Sequence, residues 1–357
     1  MSSLNIAFWN LQNLYAPVPS NGAVREMARE AGYMESNGWN DSSFQQKLDN
    51  LTEIINLMHE GEKPDLLGIC EVENKEVVEA LVQKLGRDDY EIAHQESNDI
   101  RAIDVSLIYS SKKFELIGEP TGHLVHLRYP TRDIFEVPLR IRENGADITV
   151  LVNHWPSRNI GQYESEPFRI TLASHCGTLI DKVLKFSSSQ YIHLPDNLDT
   201  LRLINNKWNK NVLVMGDFND EPFNRSLMDT LQASNGTDNL EEDFKNLAGE
   251  DKIIPPLESY RQKQAFLFNC MWSQLGKPDL GTFFYSKAIN TLLTLDHFII
   301  SKGLYYGVNG LKMNLDSVEI FQPGIMTSGK GRPIAYSVER GKGYSDHFPI
   351  ISRMEIL

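Results

Sequence analysis

Six times in this 357-residue chain an apolar run breaks off on a carboxylate, an amide or an imidazole. Apolar runs of this length read as core strands, and a polar group at the end of one marks where the chain leaves the core for a cleft. The first run, Leu4 to Asn13, ends in amides with Asn10 at its tip. Asp65 to Glu71 ends in a carboxylate, and Val150 to Arg158 carries Asn153 and His154. Val214 to Asp220 reads Val-Met-Gly-Asp-Phe-Asn-Asp, Leu293 to Ile300 carries Asp296, and Gly343 to Ile350 contains Asp346 beside His347. Asp217 and Asn219 are two apart, so on an extended chain they share a face while Phe218 turns into the core. One site drawing on all six ends makes a single domain, residues 1–357, the expectation.

In this order, with these neighbours, the set resembles the endonuclease/exonuclease/phosphatase superfamily. Pancreatic-type deoxyribonuclease, apurinic endonucleases, sphingomyelinases and inositol-polyphosphate 5-phosphatases are members. The resemblance runs from Ile6 to Ile351, and Gly216 to Asn219 and Ser345 to Ile350 are its most specific pieces. It implies a four-layer α/β sandwich, two mainly antiparallel β-sheets packed face to face with helices outside. The coarse periodicity permits this. Leu48, Leu51, Ile55 and Met58 stand at helical spacing within 44–59, Val77, Val78, Leu81 and Leu85 within 76–85, and 167–184 reads as a helix with Pro167 in its first turn. Strands are expected over 104–109, 135–141 and 148–153.

The chemistry such residues suit is metal-assisted attack of water on a phosphate ester. Glu71, Asn10 and Asp346 are hard oxygen donors of the kind Mg²⁺ or Mn²⁺ prefers. Asp217 and Asn219 are expected across the scissile phosphate, orienting or deprotonating water. His347 is expected as general base or phosphate ligand with Asp296 fixing its tautomer. His154 is a second imidazole, for the phosphate or the leaving oxygen, and Asp104 is the nearest candidate for its carboxylate partner. Arg101, Arg132, Arg158 and Asn153 are candidates to hold phosphate, guanidinium groups being suited to forking onto it. Arg169 is a further one, and for each of these arginines structural ion pairing is the alternative.

Two stretches read as insertions at the edge of the site. Residues 16–43 hold Arg25, Arg29, Tyr33 and Trp39, and residues 241–277 hold Phe268, Met271 and Trp272, an aromatic group that suits a core more than a stacking platform. The Gly-rich segment Phe321 to Ser345 carries Lys330, Arg332, Arg340 and Lys342 against Glu339, and leads straight into Asp346. It reads either as a phosphate-contacting loop or as a solvated one.

Composition narrows the class less. The net charge of −13 argues against tight, non-specific binding of duplex nucleic acid, although a cleft can be basic on an acidic body. No apolar run reaches the roughly 20 residues of a membrane span, and the run holding Asn10 is expected to be a strand of the site rather than a cleaved leader. Three widely spaced cysteines argue against a disulfide framework, so a reducing cytoplasmic setting is expected.

Departures from the family pattern bear on substrate. Gln12 stands where many members place an acidic residue or Asn, so one catalytic ion is expected rather than two. The segments that mark apurinic endonucleases and inositol phosphatases are absent, and His154-Trp155-Pro156 resembles a bacterial subgroup of undefined substrate. The reading is a divalent-metal-dependent phosphodiester hydrolase with nucleic acid, DNA or RNA, as the expected substrate and no obligate protein partner. A phosphatase or lipid phosphodiesterase on the same site is the first rival, and a non-catalytic binding module the second.

Overall fold

The structure is a computed structural model that describes residues 2–17, 39–99, 101–241, 244, 252–277, 279–285 and 290–357. Most of the stretch 16–43, including Arg25, Arg29 and Tyr33, lies outside the described residues. Sixteen strands are described: β1 (Ser3–Leu14), β2 (Leu66–Val72), β3 (Tyr90–His94), β4 (Asp104–Ser110), β5 (Phe114–Leu116), β6 (Thr121–His123), β7 (Ile134–Ile141), β8 (Asp147–His154), β9 (Asn211–Asp217), β10 (Ala233–Ser234), β11 (Leu267–Asn269), β12 (Phe283–Tyr285), β13 (Thr291–Leu293), β14 (Asp296–Ile300), β15 (Leu311–Ile320) and β16 (Ile350–Ile356). One sheet has six strands in the order β15-β16-β1-β2-β4-β3. A second has eight, running β10-β11-β14-β9-β8-β7-β5 with β6 also on β7, and β12 and β13 form a separate hairpin. Most pairings are antiparallel. The parallel ones include β1 with β2 and β8 with β9.

The pleat sorts side chains between layers. On β8, Val150 and Val152 join one core cluster while Leu151 joins another; on β9, Leu213 and Met215 join the first and Val212 and Val214 the second. The first cluster unites the two sheets, Phe8 and Ile69 from one with Met215 and Phe298 from the other. The sheets approach closely enough that a Cβ on Gly68 of β2 would fall 2.4 Å from Met215 Sδ. Helices Asp41–Leu57 and Lys75–Leu85 bury Leu48, Leu51, Val78 and Leu81 in that cluster. On the far face of the second sheet, helices Gln162–Leu184 and Leu198–Trp208 supply Leu172, Cys176, Ile204 and Trp208 to the other. This is the two-sheet α/β arrangement with helices that the resemblance implied.

Local chemistry sets the helix ends. Asn40 caps Asp41–Leu57 through a reciprocal box with Ser43, and Gly86 ends Lys75–Leu85 in the left-handed region at φ 63°. The helix expected from Pro167 starts a turn earlier, at Gln162, and keeps the proline inside. Its first turn is held from the side instead. Ser165 Oγ donates to Gly161 O at 2.5 Å, and the buried Arg169 donates to Gln162 O at 2.9 Å. Residues 241–277 are also not simply an edge loop, because β11 belongs to the second sheet and Cys270 and Met271 join the core. Trp272, beside them in the chain, is half-buried. Among the described residues no helix is long and apolar enough to cross a membrane.

Candidate active site

The two parallel pairs carry the site. Because β1 runs with β2 and β8 with β9, the four strands finish together, and Asn10, Glu71, His154 and Asp217 stand at one edge. β14 runs back against β9 with Asp296 opposite Asp217, and β16 runs back against β1 with Ile350 opposite Phe8. The turn before β16 therefore sets Asp346 and His347 over the ends of the first sheet. Hydrogen bonds hold this edge together, the first between the two sheets and the other two between β1 and the turn before β16. Asn10 Nδ2 donates to Asp217 Oδ2 at 3.1 Å, Trp9 Nε1 donates to His347 O at 2.8 Å, and Ser345 Oγ donates to Asn10 O at 2.6 Å.

Left-handed backbone aims several of these groups. Gln12, Asn13, Glu71 and Asn219 all have φ between 52° and 63°, a region non-glycine residues seldom occupy. The ladders of β1 with β2 and of β2 with β4 shift register across these positions, so Glu71 sits on a bulge that turns its carboxylate into the cleft. Asn219 reaches the cleft the same way, not on an extended strand as its spacing from Asp217 suggests. Its N–H closes on Asp217 Oδ1 at 2.9 Å and its Nδ2 donates to Trp155 O at 3.0 Å. Phe218 is fully buried against Trp155. Gln12 turns away from the cleft: its Oε1 accepts from Tyr336 N at 2.8 Å.

Around the cleft the charges are coupled. His347 Nδ1 lies 2.8 Å from Asp296 Oδ2, and its Nε2 lies 3.7 Å from Asp217 Oδ2. Burial works against charging this ring, but the Asp296 and Asp217 carboxylates outweigh it and raise its pKa. Burial likewise raises Asp217, with Asp296 adding to it. His154 Nε2 sits 3.7 Å from both Asp217 Oδ2 and Glu71 Oε1. Burial, with Arg132 and Arg101 nearby, holds it well below the usual imidazole range, so it is neutral.

Glu71 and Asp346 have the features of a cation site. Burial opposes ionisation of Glu71, but Arg101, then His347 and Arg132, outweigh it and keep it charged. Asp346 is raised by burial and by the Glu71 charge beside it. Its Oδ1 is buried and has no hydrogen-bond partner among the described residues. Such an oxygen next to a second carboxylate is costly unless a cation compensates it. The donor set, two carboxylates and the Asn10 amide oxygen, is the hard oxygen chemistry of a divalent ion. Asp217, Asp296 and His347 also lie within 4.8 Å of one another. There, however, His347 Nδ1 is already spent on Asp296, so we read that trio as an acid–base relay.

Four of the other candidate residues take different positions from those expected. Asn153 faces the opposite side of β8 from His154, donating to Leu151 O and accepting from Trp155 Nε1. Arg132 is buried and braces the end of β8, donating to Asp99 Oδ2 at 3.0 Å, His154 O at 3.2 Å and Trp155 O at 2.9 Å. Asp104, on β4, accepts from the Ser97 N–H at 2.9 Å and lies 3.8 Å from His94 Nε2; it is not the partner of His154, whose Nδ1 is buried and unpaired among the described residues. Arg158 lines the cleft, but its donors hold Asn219 O at 2.6 Å, Asp220 Oδ1 and Asn224 Oδ1. Arg101 does reach the cleft, 2.9 Å from Asn13 Oδ1 and 3.5 Å from Glu71 Oε1.

The cleft, of about 350 Å³, has walls that the strand-end pattern did not reveal. Phe283, Phe284 and Tyr285 on β12 form one of them, and the Phe283 ring lies 4.7 Å from the His347 ring. Three consecutive aromatics after Gly281-Thr282 were the available signal. Ser157 and Asn159, just beyond β8, complete the opposite rim.

A family model described as the endonuclease/exonuclease/phosphatase family matches residues 5–254. Comparison with curated proteins gives no match. Among solved structures, the endonuclease/exonuclease/phosphatase from Bacteroides vulgatus is 12% identical with a TM-score of 0.54, over 100% of both chains. Truncated Caenorhabditis elegans TDP2 is 14% identical with a TM-score of 0.51, over 99% of this chain and 97% of that one. A mannosyl-6-phosphatase from Bacteroides thetaiotaomicron is 14% identical with a TM-score of 0.51, over 99% of this chain and 100% of that one. At these identities the likeness is one of fold.

Proposed function

Because the chain belongs to the endonuclease/exonuclease/phosphatase family, a family of phosphoester hydrolases, we propose that it is a divalent-metal-dependent phosphodiesterase whose substrate is nucleic acid. The observation that carries this reading is the unpartnered, buried Asp346 Oδ1 in the same cleft as the Glu71 carboxylate, with the His347–Asp296 pair beside it.

Glu71 and Asp346, with the Asn10 oxygen, would hold Mg²⁺ or Mn²⁺, which when bound polarises a phosphoryl oxygen and offsets charge in the transition state. Asp217 orients the attacking water and takes its proton, since its raised pKa makes it a better base than an ordinary carboxylate. Asn219, fixed by Trp155 O, presents its amide to a non-bridging oxygen. His347 is held as imidazolium by Asp296 and donates from Nε2 to the phosphate. His154, neutral and flanked by Glu71 and Asp217, donates a hydrogen bond toward the phosphate or the leaving oxygen. Arg101 keeps Glu71 ionised while lining the cleft.

Purified protein should be assayed with Mg²⁺, Mn²⁺ or chelator on single-stranded DNA, RNA, supercoiled plasmid, a bis-nitrophenyl phosphodiester and a nitrophenyl phosphomonoester. The reading predicts metal-dependent cleavage of polynucleotide and of the small diester. Turnover confined to the monoester would replace it with a phosphatase.

A further inference from the structure

Phe284 lines two cavities. One is the cleft just described, and the other is a groove of about 570 Å³ bordered by Lys277, Lys330 and Arg332, with Glu221 and Asp279 also on its rim. Three cations against two carboxylates is a local reversal in a chain of net charge −13. Arg332 is the best placed of the three. Its guanidinium carbon lies 3.5 Å from the centre of the Phe284 ring. Neither Arg332 nor Lys330 forms an ion pair among the described residues.

The segment that presents Arg332 is built tightly. Thr327 pairs with Pro333 as an isolated bridge, Ser328 N donates to Arg332 O at 2.8 Å, and Arg332 N donates to Ser328 Oγ at 3.1 Å. Gly331 turns the loop at φ 71°. A guanidinium laid face-on against a ring keeps its donors in its own plane, where they can fork onto a phosphate. Between this cation and the acid–base relay lies the aromatic wall, Phe283, Phe284 and Tyr285, each half-buried, with Phe283 against His347. The order along the surface is thus a phosphate position, stacking surfaces, then cations. A single-stranded polynucleotide has the same order, with a base face between successive phosphates.

We propose that the groove beyond Phe284 is a second anion subsite, in which Arg332 with Lys330 takes the neighbouring phosphate of a single-stranded oligonucleotide whose scissile phosphate lies beside Asp346 and His347. This rests on the phosphodiesterase reading and narrows it. A phosphomonoester has no second phosphate for the groove, and an acyl chain would leave Arg332 and Lys330 facing hydrocarbon.

Binding of a short fluorescein-labelled oligothymidylate, read by anisotropy in chelator across a salt series, tests it. The double variant Arg332→Ala/Lys330→Ala should bind about tenfold more weakly, and its salt slope should fall by roughly 0.7 for each cation removed. Arg332→Lys, which keeps the charge and loses the flat stack, should restore the slope and only part of the affinity. Labelled thymidine monophosphate, with one phosphate, should lose far less affinity in the double variant. Circular-dichroism melts verify that the variants are folded. Unchanged oligonucleotide affinity and slope in the folded double variant would overturn the subsite. So would equal losses for the two ligands, which would put Arg332 at the first phosphate. Binding is read without any requirement for turnover, so this outcome is independent of it: if no substrate is hydrolysed but the two-phosphate binding is lost as expected, the hydrolase reading alone fails.

Discussion

His347 Nδ1 lies 2.8 Å from Asp296 Oδ2, and this pair orients the ring that faces Asp217. Asp296 begins β14 opposite the last residue of β9, while His347 precedes β16 in the other sheet, so the bond also joins the two halves of the sandwich. Replacing Asp296 by Asn removes the charge that keeps His347 protonated and frees the tautomer. Asp296→Asn should lower kcat about 10²–10⁴-fold with a much smaller change in KM. An NMR titration of His347 should show its pKa falling in the variant. A wild-type titration curve would contradict the coupling.

Metal affinity should depend on Glu71. Glu71→Gln keeps the shape and removes one of the two carboxylates of the cation site, so Mg²⁺ or Mn²⁺ affinity by calorimetry should fall at least about tenfold. In wild type the ion should also raise Tm, since it binds the folded state alone and relieves the Glu71–Asp346 repulsion. That rise should largely vanish in Glu71→Gln. An equal rise in both proteins would place the ion elsewhere.

Asp220 holds two buried guanidinium groups behind the site. Arg169 Nε lies 2.7 Å from Asp220 Oδ2, Arg158 Nη2 lies 3.1 Å from Oδ1, and Ser226 Oγ donates to Oδ2 at 2.5 Å. Arg169 is wholly buried, so Asp220→Ala strands a charge that water cannot reach. The expected loss is about 3–5 kcal/mol in urea unfolding at neutral pH. A loss under about 1 kcal/mol would mean that the network is not needed for stability.

Stability should fall with acid partly through His297. This ring is fully buried; its Nε2 donates to Asp220 O at 2.8 Å and its Nδ1 accepts from Asn269 Nδ2 at 3.1 Å, a neutral tautomer with both nitrogens used. Burial pushes its pKa down to about 4. The unfolded chain takes up the proton near pH 6.5 and the folded one does not, so the contribution is complete above about 6.5 and is lost as pH falls toward 4. His297→Asn should flatten the plot of unfolding free energy against pH in that window by up to about 1.4 kcal/mol per pH unit. Parallel plots for the two proteins would contradict this.

The strand ends were legible because each is local. A run such as Val214 to Asp217 declares both a buried strand and the polar group that leaves it. Long-range partners were not. Asn153 and His154 stand side by side in the sequence, and only the pairing of β8 with β9 decides that His154 meets Asp217 while Asn153 turns to Trp155. Arg132 looked like a phosphate ligand because its partner, Asp99, is 33 residues away in a segment with no pattern of its own. Asn219 was placed on the right side for the wrong backbone reason, since a left-handed turn does not announce itself at an Asn. The helix start before Pro167 was hidden because buried Arg169, not a conventional cap, secures it.

The most direct measurement is the initial rate of bis-nitrophenyl phosphate hydrolysis by metal-stripped protein titrated with Mg²⁺ or Mn²⁺, run beside Asp217→Asn. The account predicts no turnover in chelator, a saturable rise with metal, and a loss of about 10²-fold or more in Asp217→Asn with metal binding retained. Turnover independent of metal, or equal rates in the two proteins, would contradict it.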